Sequence, residues 1–211
     1  MAVKKQAAKV PGGRQAAYTA RNRAAIVRAA QNVLAEIGPT ATIEQIADYS
    51  QVSPTTIYKY FKNKEVLFAE ALNQIWMEWV AWSYNGVPEG ESLEAVIDVA
   101  RKLFWIKQTH PLFAKILHNT LQNPDFVIKA VRSSGERVFR NLAETGELAS
   151  KDFDIRVNLY AHALAGILIA VHVNEEMSPT EADQALAIAF RIFDVSEARA
   201  KKIVARKLVF P

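Results

Sequence analysis

The sequence predicts an all-α protein: an N-terminal three-helix domain of helix-turn-helix type, joined by a long helix to a helical C-terminal domain. Three observations carry this. The 211 residues include only 8 Gly and 8 Pro, and 50% are hydrophobic; with Ala, Leu, Glu, Lys and Arg abundant, such a composition favours long helices over a many-turned β fold. Apolar residues recur at i, i+4, i+7 spacing. Residues suited to helix starts and stops stand between those stretches. The absence of Cys excludes disulfides, thiolate metal ligands and a cysteine nucleophile.

The elements follow in order. Ile26, Ala30, Val33, Leu34 and Ile37 form the stripe of an amphipathic helix, which Gly38 and Pro39 stop. Thr42 with Gln45 reads as a capping box, in which each side chain satisfies the other residue's backbone N–H. It opens a short helix over 43–49 that packs through Ile43, Ile46 and Ala47. Ser53 as N-cap and Pro54 at the first helical position start the next, and Val52 and Ile57 are spaced for a hydrophobic staple. Asn63 caps a helix of about 20 residues from Lys64, apolar over more than one stripe and so able to belong to two cores. Residues 85–90 read as a loop. Further helices are expected over 92–109, 111–121, 124–144, from Asp152 or Asp154 to 173, over 179–193 and over 197–208.

Charge divides the chain. Residues 1–72 carry ten Lys and Arg against five Asp and Glu, a net +5, whereas 73–211 carry a net −1. A basic end on a near-neutral body suits polyanion binding at one end and a separate task at the other. The organisation read from this is a basic, disordered arm over 1–18, a helix-turn-helix domain over 19–66 and a helical body over 67–211. The N-terminus lacks the apolar stretch of a secretory signal. The most lipophilic run, 159–173, has about 15 residues including His162 and His172, short of the ~20 that span a bilayer. A cytoplasmic protein without membrane partners is the expectation.

Two short helices joined by a tight turn can place the second in a DNA major groove. In that second helix Ile57 and Phe61 are i, i+4 and face the core, leaving Pro54, Thr55, Tyr58 and Lys59 outward. Hydroxyl and methyl groups can reach base edges, and Tyr and Lys can reach phosphates. Lys64 sits at a helix N-terminus that disfavours a cation, and a bound phosphate would reconcile it with that place.

The segment 40–67, with Val52-Ser53, Ile57-Tyr58, Tyr60-Phe61 and Lys64 to Leu67 after a helix ending in Gly38, resembles the DNA-binding domain of the TetR family of transcriptional regulators. The resemblance covers residues 20–72. It implies that Thr42, Ser53, Thr55, Thr56, Tyr58, Lys59, Tyr60 and Lys64 face DNA. It also implies an all-α homodimer, a repressor that binds a near-palindromic double-stranded operator and is released by a small effector. Gln51 departs from the family, which usually has Gly in the turn; a positive φ there would strain Gln by about 1 kcal/mol. A sequence-tolerant DNA-structural protein is the second reading. An all-α enzyme is the third, although no phosphate loop, nucleophile elbow or metal motif is present.

For an apolar or aromatic effector, the candidates are Trp79, Phe104, Trp105, His118, Asn119, Phe139, Tyr160 and His162, and plain core packing is the competing reading of each. The last two long helices are rich in Ala, and in the resembled family the corresponding pair meets its dimer mate. Ala161, Ala165, Ile169, Ala185 and Phe193 are the expected seam, with intrachain packing as the alternative. The four His show no metal-ligand spacing, Asp152 and Asp154 read as helix-start residues, and neither metal nor cofactor is expected.

Overall fold

The computed structural model of the chain describes residues 13–85, 92–121 and 123–211. Among them all regular structure is helical: α1 (Gly13–Glu36), α2 (Ile43–Ser50), α3 (Pro54–Tyr60), α4 (Lys64–Tyr84), α5 (Leu93–Lys102), α6 (Ile106–Thr109), α7 (Pro111–Thr120), α8 (Asp125–Glu144), α9 (Phe153–His172), α10 (Pro179–Ala189) and α11 (Glu197–Val204), with 3-10 turns at Leu103–Trp105 and Phe190–Phe193.

α1 starts thirteen residues before Ile26. Residues 13–18, assigned to the arm on sequence grounds, are therefore helical; no breaker separates them from the stripe, and Ala, Gln and Arg sustain a helix without tertiary support. The rest of the expected arm, with Lys4, Lys5 and Lys9, lies outside the described residues, as does the loop at 86–90. Ile26, Ala30, Val33 and Leu34 are buried, whereas Ile37, beyond the helix end, is 42% exposed. Gly38 takes φ +87 and closes the end, a conformation that costs glycine little.

Two expected helices break for tertiary reasons. The stretch 92–109 tightens into the turn Leu103–Trp105, where the Leu103 carbonyl meets both the Ile106 N–H and the buried His172 Nε2 at 2.9 Å. The stretch 179–193 ends in a second 3-10 turn closed by Asp194 at φ 60, and Arg156 donates to the Ile192 carbonyl there.

α9 is the central helix of the body, packing against α7, α8 and α10. The sequence count of about 15 apolar residues understates it. It has 20 residues with a mean hydropathy of 1.4 over its most apolar window, long and apolar enough by composition to cross a membrane, and half of that window is buried inside the fold. Around Tyr160 a ring cluster closes the core, with Phe139 at 5.2 Å and Phe190 at 4.9 Å between centroids. Arg101, 4% exposed, fastens α5 to α10 and to the chain's end through Asp98 at 3.1 Å, Asp183 at 2.9 Å and the Arg206 carbonyl at 3.1 Å.

Candidate functional site

The helix-turn-helix is built by local hydrogen bonds that free its outer face. The Thr42 side chain accepts from the Gln45 N–H at 3.4 Å while Gln45 Oε1 accepts from the Thr42 N–H at 2.9 Å. Ser53 Oγ accepts from the Thr56 N–H at 3.2 Å and lies 2.9 Å from the Thr56 hydroxyl. In the turn Gln51 has φ 55 and ψ 37, the left-handed conformation in which a non-glycine residue is strained. Ile57 is fully buried and fixes α3 on the core. Thr55 and Lys59 are exposed, and Tyr58 is 54% exposed. Tyr60 is half-buried and packs against the core, so it contributes less outward surface than its neighbours.

Lys64 has a different setting from the one its position suggested. Its ammonium donates to the Ala41 carbonyl at 2.9 Å and the Pro39 carbonyl at 3.3 Å, and lies 5.6 Å from the Phe68 ring centroid. These acceptors offset the unfavourable helix terminus without a phosphate and tie α4 to the α1–α2 loop. Arg23 forms a two-pronged ion pair with Glu70 and stacks its guanidinium over Phe61 at 4.8 Å. Gln31 Nε2 donates to the Ala71 carbonyl at 3.2 Å. The helix-turn-helix is thus bolted along α1 and α4.

Behind it, α4, α5, α8 and α9 enclose a cleft with about 520 Å³ of atom-free space, part of it open to solvent. Its wall combines the rings of Trp76, Trp79, Phe139 and Tyr160 with aliphatic side chains such as Val96 and Leu103. Gly135 lies on this wall, and a Cβ there would stand 2.7 Å from Phe139 Cε2, so the ring occupies space that a larger residue would take. Burial, with the neighbouring Tyr84, pushes the Tyr160 hydroxyl well above the usual phenol range.

Residues 26–71 match the family described as bacterial regulatory proteins, tetR family. That match spans both helices of the helix-turn-helix and the stripe of α1. Residues 26–71 thus form a DNA-binding domain of the tetR-family type. Solved TetR-like structures extend the likeness to the body. RolR in complex with resorcinol is similar with a TM-score of 0.71 at 17% identity, over 92% of this chain and 98% of that one. A putative TetR-family regulator from Rhodococcus sp. reaches 0.63 at 20% identity, over 83% and 100%. SmeT, the repressor of the Stenotrophomonas maltophilia multidrug efflux pump SmeDEF, reaches 0.60 at 17% identity, over 81% and 89%. At these identities the likeness establishes the fold. No curated protein matches the chain in sequence.

Within this TetR-like fold the eight residues expected to meet an effector separate into three settings. Trp79, Phe139 and Tyr160 line the cleft. Phe104 is fully buried in the core, and Trp105 packs edge-on to Phe210. The other three make backbone bonds elsewhere. His118 Nδ1 pairs with the His172 carbonyl at 2.8 Å, and His162 Nδ1 with the Asn158 carbonyl at 2.8 Å. Asn119 Nδ2 donates to the Leu34 and Ala35 carbonyls at 3.1 and 3.0 Å and so caps the end of α1. Sequence reasoning passed over Trp76, Val96, Leu103, Val131, Gly135 and Leu164 on the wall. The i, i+4 pairs Val131–Gly135 and Gly135–Phe139 on α8 were the one signal to be had, a helix-interior glycine between apolar residues.

The residues expected at a dimer seam fall into two settings. Ala161, Ala165 and Phe193 are buried in the chain's own core, Phe193 within the ring cluster beside Phe139 and Tyr160. Ile169 and Ala185 are half-buried and pack against that core. The outward stripe of α9 is Ile155, Leu159, His162 and Gly166 at spacings of four, three and four, with Ile155 62% and Leu159 52% exposed. On α10, Ile188 is 66% exposed.

Proposed function

We propose that this regulator is a homodimeric repressor that binds a near-palindromic operator and is released by a small apolar effector held in the α4/α5/α8/α9 cleft. The single observation that carries the DNA reading is the outward face of α3, where Thr55, Tyr58 and Lys59 are exposed while Ile57 is fully buried. Pro54, Ser53, Thr42 and Thr56 flank this face, with Tyr60 at its edge. Lys64 serves the interface by positioning α4 against the α1–α2 loop.

The division of labour is a head over 19–66 and a body over 67–211. The homodimer is supported by Ile155, Leu159 and Ile188, large apolar side chains that stay exposed on two adjacent body helices. Such a face is the usual mark of an association surface. A two-fold pair of heads would set two α3 helices about 34 Å apart, one turn of DNA. An effector that binds better in the released geometry shifts the pair to that state by its differential affinity. The repressor SmeT and the resorcinol-binding RolR, which share the fold, support both the direction of regulation and an aromatic effector. A cytoplasmic location accords with a DNA-binding task.

Gel-shift titration of the DNA flanking the gene tests the reading. A discrete complex that Tyr58→Ala weakens is expected, and absence of retardation on every flanking fragment overturns it. A DNA-structural protein would instead bind unrelated competitor equally at fixed salt.

A further inference from the structure

The cleft wall holds a buried hydrogen-bonding group that no described residue answers. Trp79 is 1% exposed, lines the cleft, and its indole Nε1 is buried with no acceptor among the described residues. Buried tryptophan N–H groups usually find a partner, because desolvating a donor without one is unfavourable. Three other buried side-chain atoms share this condition, Arg101 Nε, His172 Nδ1 and Asp183 Oδ1, and none of their residues lines this cleft. No Lys, Arg, His, Asp or Glu stands among its described lining residues, so a charged ligand would be desolvated there without a counter-ion. Tyr160 remains a neutral phenol, since burial opposes its ionisation. Phe139 packs onto the bare helix surface at Gly135, and the cavity left in the cleft, about 70 Å³, suits one ring system.

We propose that the cleft takes a neutral, ring-sized apolar molecule carrying a hydrogen-bond acceptor oxygen, and that this oxygen accepts from Trp79 Nε1. The inference rests on the reading of the cleft as the effector site. In the bound state the donor regains a partner, and the apolar remainder of the ligand displaces no polar contact of the wall. An acceptor-free hydrocarbon of the same shape fills the space and leaves the indole N–H unanswered.

Acetophenone and ethylbenzene form a matched probe pair that differs in the carbonyl oxygen. Calorimetric titration of the full-length protein with each gives a ratio of affinities, which cancels the shared packing contribution. From wild type to Trp79→Phe that ratio is expected to fall about tenfold in disfavour of acetophenone, the worth of one recovered hydrogen bond; an unchanged ratio overturns the proposal. Should the variant fail to fold, the wild type answers the same question by NMR. The Trp79 indole N–H resonance is expected to move downfield with acetophenone and not with ethylbenzene, and equal responses overturn the proposal. Leu164→Trp, which plugs the cleft, separates the two layers. If plugging abolishes binding of both probes while the Trp79→Phe ratio stays unchanged, the acceptor inference alone falls. If both probes still bind the plugged protein, or neither binds wild type, the effector-site reading falls with it.

Discussion

α3 and α9 expose opposite chemistry, and the contrast underlies the roles proposed for the two helices. α3 has seven residues, buries Ile57 and turns Thr55, Tyr58 and Lys59 outward. α9 has 20 residues, buries nine of them and still turns Ile155 and Leu159 outward. A hydrated polyanion is matched by hydroxyls, a phenol and a cation, which replace water and counterions at phosphates and base edges. An apolar stripe gains nothing from such a surface and gains from a second apolar stripe. The small residue on the α9 stripe, Gly166, has open space where a Cβ would stand, so nothing among the described residues demands a glycine there. Close approach of another helix would.

The strongest attack on this contrast is to give α9 and α10 the chemistry of α3. Leu159→Arg with Ile188→Arg is expected to raise the dimer dissociation constant at least about 100-fold, since two apolar anchors become desolvated cations. Sedimentation equilibrium measures this, with circular dichroism expected to show the helices intact, because both side chains already face solvent. The converse change strips α3. Tyr58→Ala is expected to lower operator affinity about tenfold, and Lys59→Ala to reduce the salt dependence by about one ion, both read by fluorescence anisotropy against salt.

A third prediction uses acid. Burial holds the His172 and His110 imidazoles below the ordinary histidine range, and no His occurs in residues 1–72. The unfolded chain therefore takes up protons near pH 6.5 that these folded side chains resist. Stability is full above that pH and is lost as pH falls through it, by on the order of 1 kcal/mol per histidine and pH unit. Thermal melts between pH 7.5 and 5.5 are expected to show this loss in wild type and a smaller one in His110→Gln. The smallest effect expected is in the turn. Gln51→Gly is expected to stabilise the protein by roughly 0.5–1 kcal/mol, because the left-handed conformation no longer opposes a side chain.

The head was more legible in the sequence than the body because its signals are local. Thr42 with Gln45, Ser53 with Thr56 and Asn63 with Val66 are each settled within three residues, and each forms the expected bond. The break at Leu103 was not legible, since the side chain that takes its carbonyl, His172, lies 69 positions away. Nor was the outward side of α9: a helix apolar nearly all round does not announce which side faces out, and of its small residues Ala161 and Ala165 are buried while Gly166 reaches the surface. In the cleft, Trp79, Phe139 and Tyr160 stood out as large rings, while the aliphatic wall of Val96 and Leu103 looks like any other core until α4 and α8 are set opposite it.

The Asn119 contact with α1 bears on how such proteins can be recombined. Its amide holds the last carbonyls of α1, and Gly38 lies so near that an added Cβ would touch the Asn119 Cβ at 3.4 Å. A chimera that grafts this head onto a foreign body at residue 66 would inherit the covalent joint through α4 and lose that matched docking point. Exchange of DNA specificity between relatives should therefore carry Gly38 and Asn119 as a pair, treated as part of the transplanted unit although one of them lies on the recipient's side of the cut.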